Sequence, residues 1–170
     1  MATDKYLNST LDAGGRTLTP AGFPAMLMIL QGTYEKTAAD NDASILRFGK
    51  VPANAIPCYH LSFINNDALS GATDVDIGLY KPNKGAVVDK DLLSDGLNIA
   101  AGNALASPIK AFQTHPTIEE FESTLKETAA AVLAATVQDQ EFDIALTGNT
   151  FGTATGTIAW HLVFIVPQAG

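Results

Sequence analysis

The stretch Asp74-Val75-Asp76-Ile77-Gly78-Leu79-Tyr80 alternates without a break. Val75, Ile77 and Leu79 fall on one side and Asp74, Asp76 and Gly78 on the other, the period of a β-strand with one face toward a core and one toward water. The same period recurs downstream. Phe142, Ile144 and Leu146 alternate with Asp143 and Ala145, and Ile158, Trp160, Leu162, Phe164 and Val166 alternate over a longer run. The second face of that last run also turns apolar, at Val163 and Ile165, which suits a central strand or an interface. Upstream, Met26-Leu27-Met28-Ile29-Leu30 is continuously apolar between Pro24 and Gly32 and reads as a strand buried on both faces. Ser44 to Val51 reads as a strand stopped by Pro52. Cys58 to Ile64 reads as another, with Tyr59, Leu61 and Phe63 on one face. Pro52 to Pro57 between them reads as a loop, because both prolines lack the ladder donor.

Two segments carry helix signals. Thr117-Ile118-Glu119-Glu120 is a capping box, with the Thr side chain accepting from the third amide and Glu120 reaching back. Ile118, Phe121, Leu125, Ala129 and Val132 follow at helical spacing, predicting an amphipathic helix over about 117–137. Asp89 to Asp95 has the marks of a short helix, capped by Asp89 and stopped by Gly96. Residues 1–24, broken by Gly14-Gly15, Pro20, Gly22 and Pro24, read as an extended N-terminal arm ahead of a single β-rich domain over 25–170. Thr147 to Thr157, with Gly148, Gly152 and Gly156, reads as a flexible or bulged hairpin. The fold class expected is mainly β: an antiparallel β-sandwich or jelly-roll-like domain, with the one amphipathic helix and the arm.

The 170 residues suffice for one domain with its own core. Charged residues make up only 16% of them, against about 25% in an ordinary globular chain. Sparse charge fits a surface covered by copies of the same chain or by a partner, and equally a surface built from Thr, Asn and Ser. The net charge of −8 is spread along the chain and no Lys/Arg cluster breaks it, so nucleic acid and anionic membrane are excluded as partners. The single cysteine, Cys58, allows no internal disulfide. No signal peptide and no bilayer-length apolar run is visible, which predicts synthesis in a cytoplasm and solubility until assembly.

Chemistry-bearing patterns are weak. His60, His115 and His161 lack zinc spacing, and no nucleophile elbow or phosphate loop is present. Asp74 and Asp76 stand about 7 Å apart on one strand face. With Asp67 they are weak candidates for a calcium site through oxygen ligands, and otherwise the wet face of an amphipathic strand. No cofactor and no catalytic residue is expected. Leu7, Leu11, Arg16 and Leu18 are candidate contacts of the arm with a neighbouring subunit or partner.

Arg47-Phe48-Gly49-Lys50-Val51-Pro52-Ala53-Asn54-Ala55, then Asp76-Ile77-Gly78-Leu79-Tyr80, then Asp89-Lys90-Asp91-Leu92-Leu93, then Ala145-Leu146-Thr147-Gly148-Asn149-Thr150 with Thr153-Ala154-Thr155-Gly156-Thr157-Ile158 occur in that order. Together they resemble small structural proteins of tailed bacteriophages, of the head-decoration or capsid-cement kind, over roughly residues 44–166. The resemblance implies a virion structural protein on the capsid surface, with the major capsid protein as partner and a homo-oligomer, a trimer, as the working unit. Another virion component in the neck, tail or fibre base is the alternative. A glycan- or calcium-binding β module is a third reading, and an enzyme the weakest.

Overall fold

A computed structural model describes residues 4–6, 25–103, 107–114, 125 and 141–167. Their regular elements are all strands: β1 (Asp4–Tyr6), β2 (Ala25–Lys36), β3 (Ile45–Pro52), β4 (Ile56–Pro57), β5 (Phe63–Asn66), β6 (Asp74–Tyr80), β7 (Val87–Leu97), β8 (Ile109–Lys110), β9 (Glu141–Thr150) and β10 (Gly156–Pro167). They form two sheets. The first has the order β1-β3-β9-β6-β7, and the second β2-β10-β5-β8, with β4 also paired to β10. Every pairing is antiparallel except β1 with β3, where Asp4–Tyr6 run parallel to Ile45–Arg47.

The alternation explains how the sheets meet. Leu46 and Phe48 of β3, Val75, Ile77 and Leu79 of β6, and Phe142, Ile144 and Leu146 of β9 point from the first sheet into one core. Leu30 of β2 and Ile158, Trp160, Leu162 and Phe164 of β10 meet them from the second. Phe48 and Trp160 bridge the sheets with ring centroids 4.9 Å apart, and Phe112, beyond β8, packs 5.6 Å from Phe164. Each such side chain contributes roughly 1.5–3 kcal/mol by leaving water. A bulge in β3 lies between Arg47 and Gly49, and Leu30 sits so close to Gly49 that an added Cβ would stand 3.1 Å from it. This is a β-sandwich, as expected.

Several sequence expectations need correction. The fold class was drawn with an amphipathic helix over about 117–137, but the elements whose bounds fall within the described residues are strands throughout. That span lies outside the described residues except for Leu125, which is buried and donates its N–H to the carbonyl of Ala55 at 2.8 Å. The short helix over Asp89–Asp95 is part of strand β7. Gly96 does adopt a left-handed φ of 68°, but it bends an edge strand rather than ending a helix. Cys58 to Leu61 is a turn, not a strand, so Tyr59 is buried while Leu61 is exposed. Pro52 and Pro57 both lie in strands. Residues 151–155 do not close a hairpin: β9 belongs to one sheet and β10 to the other, and the segment carries the chain between them.

Candidate interaction surface

The two outer faces of the sandwich differ in character. On the first sheet several residues opposite the core are polar and yet buried. Arg47 Nη1 donates to Asp143 Oδ2 at 3.0 Å, and the same guanidinium reaches the carbonyls of Lys81 and Gly85. Its carbon lies 4.8 Å from the centre of the Tyr80 ring, whose hydroxyl shares a hydrogen bond with that of Thr147. Beside this cluster, Asp76 is held from three directions. Lys90 Nζ stands 2.9 Å from its Oδ2, Asn149 Nδ2 donates to Oδ2 at 2.6 Å, and the Gly96 amide donates to Oδ1 at 3.0 Å. The partner carboxylate raises the Lys90 pKa above its ordinary value.

A groove of about 580 Å³ opens over these groups, lined in part by Ile45, Arg47, Tyr80, Val87, Lys90 and Asn149. Arg47 is paired with Asp143 in the interior, and Lys90 reaches Asp76 from the surface. What the arrangement supplies is rigidity: β3, β6, β7 and β9 are cross-tied by side chains as well as by their ladders.

The second sheet presents β2 and β10 to the outside. Opposite the core-facing Leu30 and Leu162, the alternation puts Leu27, Ile29, Val163 and Ile165 together, because Ile29 pairs with Val163 and Leu27 with Ile165. Ile56 of β4 joins them across Ile165. Val163 is buried, and Leu27, Ile29, Ile56 and Ile165 are half-buried. Toward the other end the same face turns to exposed Gln31, Thr33, Glu35 and His161. The apolar second face of the last strand was legible in Val163 and Ile165. Its partners on β2 were not, since strand order decides them. Burial pushes the Cys58 thiol above its ordinary pKa, which keeps it protonated and unreactive at neutral pH.

The segment between β9 and β10 is clamped. Lys36 Nζ, on a buried side chain, donates to the carbonyls of Gly152 and Ala154 at 3.1 and 2.9 Å and lies 4.5 Å from the centre of the Phe151 ring. Asp42 Oδ1 accepts from the amides of Phe151 and Gly152, which lowers the Asp42 pKa.

Of the residues expected to form a metal site, Asp74 and Asp76 come together around Asn149, which also donates to Asp74 Oδ1 at 3.1 Å. Asp67 works elsewhere: its amide and carboxylate both bond the backbone of Thr157, tying β5 to β10. Among the described residues no group of three or more His, Cys, Asp or Glu gathers to hold a metal ion. Leu7, Leu11, Arg16 and Leu18 lie outside the described residues. Sequence reading missed Arg47, Asp143, Lys90 and Asn149. The available signal was a charge on the outer side of three expected strands, but partners from distant strands cannot be paired without their order.

No protein-family model and no curated protein matches the sequence. Solved structures do. A chain in the capsid of Ralstonia phage GP4 superimposes with a TM-score of 0.51 at 15% identity, covering 93% of this chain and 95% of that one. The fold is one found in a phage capsid. A chain in the Cyanophage Pam1 capsid asymmetric unit gives a TM-score of 0.48 at 15% identity, over 95% of this chain and 100% of that one.

Proposed function

We propose that this chain is a virion structural protein that decorates the capsid of a tailed phage, binding the outer head surface and stabilising the shell. The observation that carries the reading is the likeness of its fold to a chain of the Ralstonia phage GP4 capsid, which extends over nearly the whole of both chains. Two properties support it. The chain has few charges for its length, and the outer face of β2 and β10 offers an apolar patch running into polar residues of which Glu35 is the one carboxylate. Such a face gains free energy from covering by a partner without stripping water from many ions. The partner in this reading is the major capsid protein, and the chain is an assembly element that turns over no substrate. Many modest contacts repeated over a lattice add up to resistance against internal pressure.

The deciding experiment is the copy number of the chain per purified particle, measured by quantitative mass spectrometry against the major capsid protein. Near-stoichiometric copies are expected. A handful of copies would transfer the protein to the neck, tail or fibre base, and its absence from particles would end the virion reading. Adding purified protein to heads that lack it should raise the temperature at which they release DNA.

A further inference from the structure

The margins of the two sheets are not alike. In the first sheet, β3 is closed by β1, and the opposite margin, β7, carries Asp89, Lys90, Asp91 and Asp95 and breaks register with β6 three times. In the second sheet, one margin ends in β8, two residues long and carrying Lys110. Strand β2 is different. It is 12 residues long, runs in one unbroken register with β10, and among the described residues has strands on one side only. From Met26 to Tyr34 it holds no charge, no proline and no bulge. Charges, prolines, bulges and brevity are the means by which edge strands avoid pairing with another chain, and β2 uses none of them there.

We propose that β2 pairs antiparallel with β2 of a second copy about a two-fold axis, joining the second sheets of the two molecules. A second copy is the occupant that the chain itself supplies. Pairing needs another long unprotected edge, and β2 is the one such edge among the described strands, so the self-complementary contact is isologous. The ladder fixes where the axis can lie. In an antiparallel pair only residues of the same parity face each other, so a two-fold passes through a residue and not between two.

An axis at Gln31 pairs residues 26–36 of one copy with 36–26 of the other. Exposed Gln31 then faces itself, and its amide both donates and accepts. Thr33 faces Ile29 and Glu35 faces Leu27, so the half-buried aliphatic side chains gain cover. Glu35 and Lys36 of the two copies stay at opposite ends, and no like charges meet.

This inference does not depend on the capsid reading, because it is tested on the purified protein rather than on particles. Multi-angle light scattering should give the mass of two chains. In a Cys58→Ser background, which removes the single native thiol, Gln31→Cys should oxidise to a covalent dimer, since facing residues in such a ladder lie within disulfide reach. Gln31→Lys should raise the dimer dissociation constant at least tenfold while the far-UV circular dichroism stays unchanged. A monomer at all concentrations would overturn the proposal. So would a trimer, the state expected from sequence, or a dimer that neither cross-links at Gln31→Cys nor weakens with Gln31→Lys.

Discussion

Arg47 and Asp143 form an ion pair at 3.0 Å with 1% and 0% of their side chains exposed. They come from adjacent strands of the first sheet, and both stand on the side away from the main core. A pair this deep costs a good deal to desolvate, so its presence is weak evidence of net stability, but breaking it strands a charge. Arg47→Ala or Asp143→Ala should each lose about 3–5 kcal/mol in urea denaturation. The joint replacement Arg47→Met with Asp143→Leu should lose much less than the sum. Single losses under about 1 kcal/mol would show the pair to be effectively solvated.

At Gly78 the backbone of β7 lies hard against β6. A Cβ built there would stand 2.1 Å from the carbonyl oxygen of Asp89 and 2.5 Å from that of Lys90, both backbone atoms with no rotamer to move. Gly78→Ala should therefore push β7 outward and destabilise by about 1–3 kcal/mol or more. The Lys90–Asp76 contact should loosen with it, visible as faster hydrogen exchange at the Gly96 amide that Asp76 holds. A neutral substitution would mean that β7 yields freely.

Lys36 holds the crossing from β9 to β10 through two carbonyls. Lys36→Met keeps the aliphatic stem and removes the donors, leaving Gly152 and Ala154 without them. A loss of about 1–3 kcal/mol is expected, with faster amide exchange at Phe151 and Gly152. Unchanged exchange there would assign the rigidity of the crossing to Asp42 alone.

Asp89 sits beside Asp91, and burial, followed by hydrogen bonding and repulsion between the two carboxyls, raises its pKa to about 6 from an ordinary 3.8. The folded state thus holds a proton across a range in which the unfolded chain has lost it. Stability from this group is full below about pH 4 and declines as pH rises toward 6. Asp42 runs the other way: its lowered pKa gives stability at neutral pH that is lost as acid protonates it. The melting temperature of Asp89→Asn should exceed that of the parent at pH 7 and match it near pH 4.5. A constant difference between the two proteins across that range would rule out titration of Asp89 as the cause.

The parts of the fold legible in the sequence were those fixed by local alternation. Strands β6, β9 and β10 follow from Val75-Ile77-Leu79, Phe142-Ile144-Leu146 and the run from Ile158 to Val166, because apolar side chains at a spacing of two can reach one core only from a strand. Two failures have one physical cause. Asp89 and Gly96 are good helix punctuation, but β6 has a ladder edge that needs a partner, and pairing with β7 prevailed over local capping preference. Asp76 read as a wet residue because its strand neighbours alternate so cleanly. It is 1% exposed because Lys90 and Asn149, from strands on either side of β6, close over it. The outer apolar patch was half visible, from β10 alone.

The places of β9 and β10 in the two sheets bear on how the chain comes off the ribosome. β9 stands between β3 and β6 in one sheet, and β10 stands between β2 and the pair β4 and β5 in the other. Until residues 141–167 have been translated, neither sheet has its middle, and only the pairs β1 with β3, β6 with β7 and β5 with β8 can form. The nascent chain must carry Met26-Leu27-Met28-Ile29-Leu30 without its partner β10 until then, a stretch prone to cross-β association in a crowded, actively translating cell. Completion of the fold is thereby deferred until β9 and β10 have been made, when one short length of polypeptide completes both layers at once.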